Sequence, residues 1–466
     1  MSIDQEPVTL SGGLLAGAIT TGNIRRMLLV LAVPVLAEQM LNAFVGMFDT
    51  FLAGRISAVA TNAIGLATYV AWLASMLFAM VGTGTTALVA RLMGAGDHRE
   101  ANHLANQSIS LAAINGIATG VLLYALAPVF AGLQAMTGEA AAITVEYLRL
   151  SAVGSAMWSM TLIGGAALRG AGDMRTPMVI QAAINILNVI ASPCLVYGVG
   201  PLPELGITGI VCGTVLAQTL GAVFMLTVLA RGRAGLRLRY ALLKPSPARA
   251  WRVLRIGVPA GADGSIMWTG HFIFLMVIAR LAAGQIGEAF YAAHIVAIRM
   301  EALTYLPATA WGTAAATMIG QALGAGNMKR AIRSGHEAVL QCGLLTVAVA
   351  AGFHLAAHHI YALMHTDPLV REAGTEPFRI LALLQPLLGM SIIYIHSMRG
   401  AGDTRFPLVI TLVGIILIRL PIGFVFGIVL SGGLMGAWLG MCADMIWRAA
   451  SAWLRYCGGK WAATRV

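Results

Sequence analysis

The chain has 466 residues, of which 58% are hydrophobic and only 11% charged, with a mean hydropathy of +0.81. A soluble domain carries about a quarter charged residues, so too few polar side chains remain to wet a globule, and the surface must face lipid. The net charge of +11 comes from Lys and Arg in short gaps between apolar runs, which argues for positive-inside topology and against a nucleic-acid partner.

The residues before Met27 form a mixed polar leader, 1–26. The apolar run that follows is far too long for a signal-peptide core and reads as a retained first span. A hydrocarbon core about 30 Å thick takes roughly 20 apolar residues of helix. Twelve segments reach that length: 27–51, 62–85, 104–131, 140–168, 177–199, 206–230, 253–281, 289–319, 331–354, 378–398, 407–430 and 434–456. The gaps after even-numbered segments are basic. They hold Arg91 and Arg99, Arg169 and Arg175, a run from Arg231 to Arg255, Lys329, Arg330 and Arg333, then Arg399 and Arg405. The odd gaps are short and poor in Lys and Arg. Both termini, the linker 231–252 and the tail 457–466 are therefore expected on the cytoplasmic side of a bacterial-type inner membrane.

The sequence repeats itself. Arg169-Gly170-Ala171-Gly172-Asp173 returns 230 residues later as Arg399-Gly400-Ala401-Gly402-Asp403, and Gly94-Ala95-Gly96-Asp97 returns at the same offset as Gly324-Ala325-Gly326-Asn327. Ala32-Val33-Pro34 matches Gly257-Val258-Pro259 at an offset of 225. The expected fold is an all-α membrane protein of twelve transmembrane helices in two parallel, pseudo-symmetric six-helix bundles, lobes 27–230 and 253–456. Such halves around a midplane cavity suit alternating access.

These residues resemble a known family. Pro34 through Glu38, Phe48-Asp49-Thr50 with Gly54, the two Arg-Gly-Ala-Gly-Asp-x-Arg-x-Pro turns and Arg419-Leu420-Pro421 look like the multidrug and toxic compound extrusion (MATE) transporters, over nearly the whole chain. The resemblance implies a V-shaped, twelve-helix transporter that expels small organic, often cationic, compounds against inflow of protons or sodium. The alternative is a lipid or lipid-linked oligosaccharide flippase of the same superfamily. The resemblance also implies that Asp49 couples transport to a cation, with partners at Asn188, Ser192 and Thr214. Many relatives carry Asp where this chain has Ser192. Fewer hard anionic oxygens weaken a sodium site more than a proton site, so protons are favoured.

Ionisable groups inside a membrane are costly and therefore functional candidates. Glu38 and Asp49 share one face of the first helix, ~16 Å apart. Glu38 lies four residues after Pro34, and Asp263 four after Pro259. This pair, one per half, is expected either to line the central cavity or to make a helix–helix hydrogen bond. Asp49 has Phe274 as its counterpart at offset 225, so coupling is expected mainly in the N-terminal half. His294, Arg299 and Glu301 of the eighth helix, with Arg419 of the eleventh, are expected to form a polar network bracing the bundle. Arg419 is expected to pair with Asp263 or Glu301.

Met267, Trp268, Met300 and Trp311 are candidate substrate-lining residues, as adaptable Met and aromatic surface suits varied ligands. His354, His358, His359 and His365 read as an interfacial loop rather than a metal site. The Arg-Gly-Ala-Gly-Asp turns are expected to reverse the chain, with Asp173 and Asp403 capping the next helix and the arginines anchoring at the interface. The five cysteines read as small buried hydrophobes. Lacking a nucleophile elbow or paired loop acids, the chain is expected to have no catalytic residue, metal or cofactor beyond the coupling ion, H+ or Na+, and to act as a monomer.

Overall fold

The computed structural model describes residues 19–56, 58–133, 138–201 and 203–464. Of the expected leader and tail, residues 1–18, 465 and 466 lie outside the described residues. Among the described residues the chain forms twelve helical rods in succession. They are α1 (Ile24–Ile56), α2 (Ala58–Gly94), α3 (His98–Leu133), α4 (Gly138–Val153 continuing as Ser155–Gly170), α5 (Arg175–Tyr197) and α6 (Ile207–Arg231). There follow α7 (Pro247–Ile278), α8 (Gly284–Gly324), α9 (Met328–Met364), α10 (Pro368–Leu383 continuing as Gln385–Gly400), α11 (Arg405–Val429) and α12 (Gly433–Cys457).

Eight of these are long and apolar enough to cross a membrane, or ten with each bent pair taken as one span. The other two are more polar: α8 carries Glu288, Arg299 and Glu301, and α12 carries Asp444, Arg448 and Arg455. Large apolar side chains such as Ile117, Val121, Leu344 and Leu355 stand exposed on the rods, as a lipid-facing surface requires. This is a multi-pass membrane protein.

The rods outrun the apolar segments that mark them. α8 has 41 residues and α9 has 37, because hydropathy marks only the lipid-buried part while the backbone ladder continues past it. Asn327 then caps α9 through its side chain, which accepts from Arg330 N–H at 3.0 Å. His354, His358 and His359 are consequently on α9, with His365 at its C-cap, and the interfacial-loop reading is corrected.

The fourth rod of each half is bent rather than straight, by 46° in α4 and 50° in α10. In α10 the bend precedes Pro386, whose missing N–H breaks the ladder. α11 is interrupted by π-helical turns at Val413–Arg419 and Val425–Val429, which rotate the residues beyond them relative to a regular helix.

Two compact units result. One contains Val33–Val258 and Gly324–Gly326, the other Asn23–Ala32, Pro259–Leu323 and Asn327 onward. These limits differ from lobes drawn at 27–230 and 253–456. The first turns of α1 belong to the second unit, and the 231–252 segment belongs to the first. That segment is no loose tether. Asn102 and Asn106 of α3 accept from Arg237 and Arg239 N–H, and Gln107 accepts from Ser246 N–H. The Gln107 amide and Ser110 hydroxyl donate to carbonyls of residues 242–244. Arg249 and Arg252 pair with Glu100 at 3.1 Å each.

The repeated turns are built alike. Gly172 (φ +95°) and Gly402 (φ +90°) take backbone values that a side chain would oppose. Asp173 accepts from Arg175 and Thr176 N–H, and Asp403 from Phe406 N–H. The second oxygen of each takes a distant arginine, Arg233 at 2.8 Å and Arg455 at 2.9 Å.

Candidate functional site

Asn42 and Asp49 are seven residues apart on α1, two turns, and share a face. Asn185, Asn188 and Ser192 form a matching stripe on α5, spaced by three and four. The stripes meet where Asn185 Nδ2 donates to Asn42 Oδ1 at 3.0 Å. One turn on, Asn188 Nδ2 donates to Thr214 Oγ1 of α6 at 2.8 Å. Ser192 Oγ faces the Ile210 carbonyl at 3.5 Å. α1 and α5 are both odd in an up-and-down series and climb together, so Asp49 stands level with Ser192, ~10 Å beyond the Asn42 contact. An apolar cluster that includes Leu52, Ala53, Tyr147, Val196 and Ile210 closes around this end of α1. Asp49 Oδ1 and Asn188 Oδ1 are each buried without a hydrogen-bond partner among the described residues. Buried acceptors of this kind are expensive, and a proton or small cation would satisfy them.

The acids at 38 and 263 have other company. Arg169 Nη2 donates to Glu38 Oε1 at 2.5 Å, and Arg399 Nη2 donates to Asp263 Oδ2. Both carboxylates are buried. The arginines opening the two turns therefore reach inward instead of anchoring at the interface, and each acid faces a guanidinium. An unpaired carboxylate there would carry its desolvation cost uncompensated. The exposed Arg175 and Arg405 are left to hold the outer position. Arg169→Ala should lower stability by ~3 kcal/mol by leaving Glu38 buried alone, whereas the exchange Glu38→Arg with Arg169→Glu should recover most of it. Thermal unfolding of the purified proteins reads this, and an exchange as costly as the single change would refute the pairing.

In the second unit a denser cluster forms. Arg419 Nη2 donates to Asp444 Oδ2 at 2.6 Å, and Arg448 Nε lies 3.4 Å from Asp444 Oδ1. Arg419 Nη1 is 3.0 Å from His271 Nε2, while His271 Nδ1 is 2.7 Å from the Met267 carbonyl. Only an N–H satisfies a carbonyl, so Nδ1 carries the hydrogen and Nε2 accepts from Arg419. His271 is thus a neutral relay between backbone and guanidinium. The expected partners of Arg419, Asp263 and Glu301, are replaced by Asp444 and His271.

The expected four-residue network is divided. His294 accepts from Trp438 Nε1 at 3.2 Å and packs on Phe274. Glu301 is half-buried on α8. Arg299 is exposed and makes no ion pair among the described residues. Trp311 is buried, donating to Gln341 Oε1 at 3.0 Å, while Met267, Trp268 and Met300 are half-buried.

The sixth helix of each half presses two glycines against the fifth. A Cβ at Gly209 or Gly213 would strike α5 at Leu195, Val196 and Ser192, and one at Gly436 or Gly440 would strike α11 at Phe426 and Arg419. Gly213 and Gly440 are 227 residues apart, and so are Ser192 and Arg419. The C-terminal half thus holds a fixed guanidinium where the N-terminal half holds Ser192.

The duplication is also found by comparison with known families, where one family model, MatE, matches the chain twice. It matches residues 34–194 and 261–425, one block in each half. The chain belongs to the MatE family. It is 32% identical over 94% of its length to the probable multidrug resistance protein NorM of Thermotoga maritima, covering 93% of that protein. It is 27% identical over 86% of its length to the multidrug resistance protein PmpM of Pseudomonas aeruginosa, covering 83% of that one. Among solved structures, an outward-facing multidrug resistance MATE family transporter shares the fold at a TM-score of 0.87 and 21% identity, over 97% of this chain and 99% of that one.

For this MATE chain, sequence reasoning missed His271, Asp444 and Arg448. Each is an ionisable residue inside a spanning helix, the signal that singled out Asp49, and applying it to every helix finds them. That they form one cluster is visible only in three dimensions.

Proposed function

We propose that the protein exports small organic, often cationic, compounds across the inner membrane by alternating access, with lobes 27–230 and 253–456 as the moving bodies and inward cation flow as the drive. One observation carries the reading: on α1 and α5, whose polar stripes meet at Asn42 and Asn185, Asp49 and Asn188 each keep a buried oxygen with no hydrogen-bond partner among the described residues. Asp49, Asn188, Ser192 and Thr214 are the coupling residues. The drug-resistance names of the relatives support an organic substrate. Protons are the favoured ion, because Ser192 adds a hydroxyl where a second carboxylate would hold a hard cation.

A ligand drives such a cycle only through its different affinity for two states. Protonation of Asp49 removes a buried charge, lets α1 repack and weakens drug binding in the outward-facing state. The protonated, empty carrier then returns. In proteoliposomes, drug movement should follow a pH gradient and be indifferent to sodium. Transport driven by sodium with no pH gradient or potential would reverse the choice of ion.

Both termini are assigned to the cytoplasm. Cys457 ends α12 and is exposed, so a membrane-impermeant maleimide should label it in inside-out vesicles and leave it unmodified in intact cells. Labelling from outside would invert the topology.

A further inference from the structure

We propose that a groove between α3 and the first segment of α4 is a binding site for a zwitterionic phospholipid, its phosphate held by Arg149 and its ammonium by Glu146. The groove is a cavity of about 640 Å³ in the first unit, walled mainly by apolar residues such as Pro128, Ala131 and Val145, with Tyr124, Glu146 and Arg149 as its polar groups. It opens on a face of α3 whose large side chains are bare: Ile117 is 59% exposed, Val121 67% and Tyr124 50%. At spacings of four and three these form one stripe, and in a membrane protein such a stripe meets acyl chains.

The two charges are unusual in that setting. Arg149 lies eleven residues into α4, ~16 Å from its start, where an arginine facing lipid is costly unless compensated. Its one described contact is with the Tyr124 ring, 4.9 Å from Cζ to centroid, and its Nε is buried without a hydrogen-bond partner among the described residues. Glu146, a turn away, lines the same cavity yet makes no ion pair with it among the described residues. The helix carries both side chains toward its own N-terminal end, so both reach back toward the membrane surface. They are roughly 4.5 Å apart along the axis, close to the spacing of phosphate and ammonium in an ethanolamine headgroup. An anionic lipid would satisfy Arg149 and be repelled by Glu146. A zwitterion satisfies both, and its chains cover the apolar wall.

Native mass spectrometry of the full-length protein, equilibrated with palmitoyl-oleoyl phosphatidylethanolamine, phosphatidylglycerol or phosphatidylcholine, tests this. The wild type should retain phosphatidylethanolamine about tenfold over phosphatidylglycerol, as one desolvated, charge-assisted hydrogen bond allows. Phosphatidylcholine, with no N–H to donate to Glu146, should be retained less than phosphatidylethanolamine. Arg149→Ala should abolish retention of all three, Arg149→Lys should keep it within about threefold, and Glu146→Gln should erase the preference for phosphatidylethanolamine over phosphatidylglycerol. Equal retention of the three lipids by the wild type overturns the proposal, as does undiminished retention by Arg149→Ala. Should Arg149→Ala fail to fold, Glu146→Gln decides, since an unchanged preference in that variant also overturns it. Soluble phosphoethanolamine should not displace the lipid; displacement at equal concentration would mean that the acyl wall contributes nothing and would overturn the assignment to a phospholipid.

Discussion

Asp49→Asn should yield a folded protein in which substrate no longer moves protons. The amide has the carboxylate's shape, so the packing around residue 49 is kept. The change also removes the cost of burying a carboxylate, so stability should be unchanged or raised. What is lost is titration. A side chain with one charge state cannot favour one face of the membrane over the other as protons come and go, and an equilibrium shifts only by differential affinity. In everted vesicles, ethidium-like cations should trigger proton efflux with the wild type and none with the variant, while ethidium binding to the purified variant persists. Undiminished antiport would remove Asp49 from the mechanism and leave its burial a matter of helix packing.

Asp444→Ala should be the most destabilising of the charge removals in the second unit, costing ~3–5 kcal/mol. Asp444 is fully buried between two buried arginines, Arg419 and Arg448, and its loss strands both. Arg419→Met should cost clearly less, because Arg448 remains to hold Asp444 and the methionine fills similar volume over Phe274, against which the guanidinium now lies at 5.9 Å. Thermal unfolding in detergent gives the order. If Arg419→Met proved the worse of the two, Asp444 would not be the hub. The cluster also bears on coupling: Arg419 takes the place against Gly440 that Ser192 takes against Gly213. A permanent guanidinium in the C-terminal half does what a transient ion is proposed to do beside Asp49, consistent with coupling that resides in one half.

Composition alone required a lipid-facing surface, since a chain with 11% charged residues cannot hydrate itself. Apolar run length located the twelve rods, because bilayer thickness sets a minimum helix. The repeated Arg-Gly-Ala-Gly-Asp turns disclosed the duplication, because glycine at Gly172 and Gly402 answers a backbone angle that other residues resist. These are local or one-dimensional constraints, and sequence expresses them directly. Partner choice is of another kind. That Arg169 finds Glu38 across 131 residues, or Arg419 finds Asp444 and His271, depends on which helix faces lie together. The bends of α4 and α10 and the π-turns of α11 change those faces without any change in hydropathy. The same holds for Asp49: its chemistry was legible as an acid in a membrane helix, while the burial of its unpartnered oxygen arises only once the helices have packed.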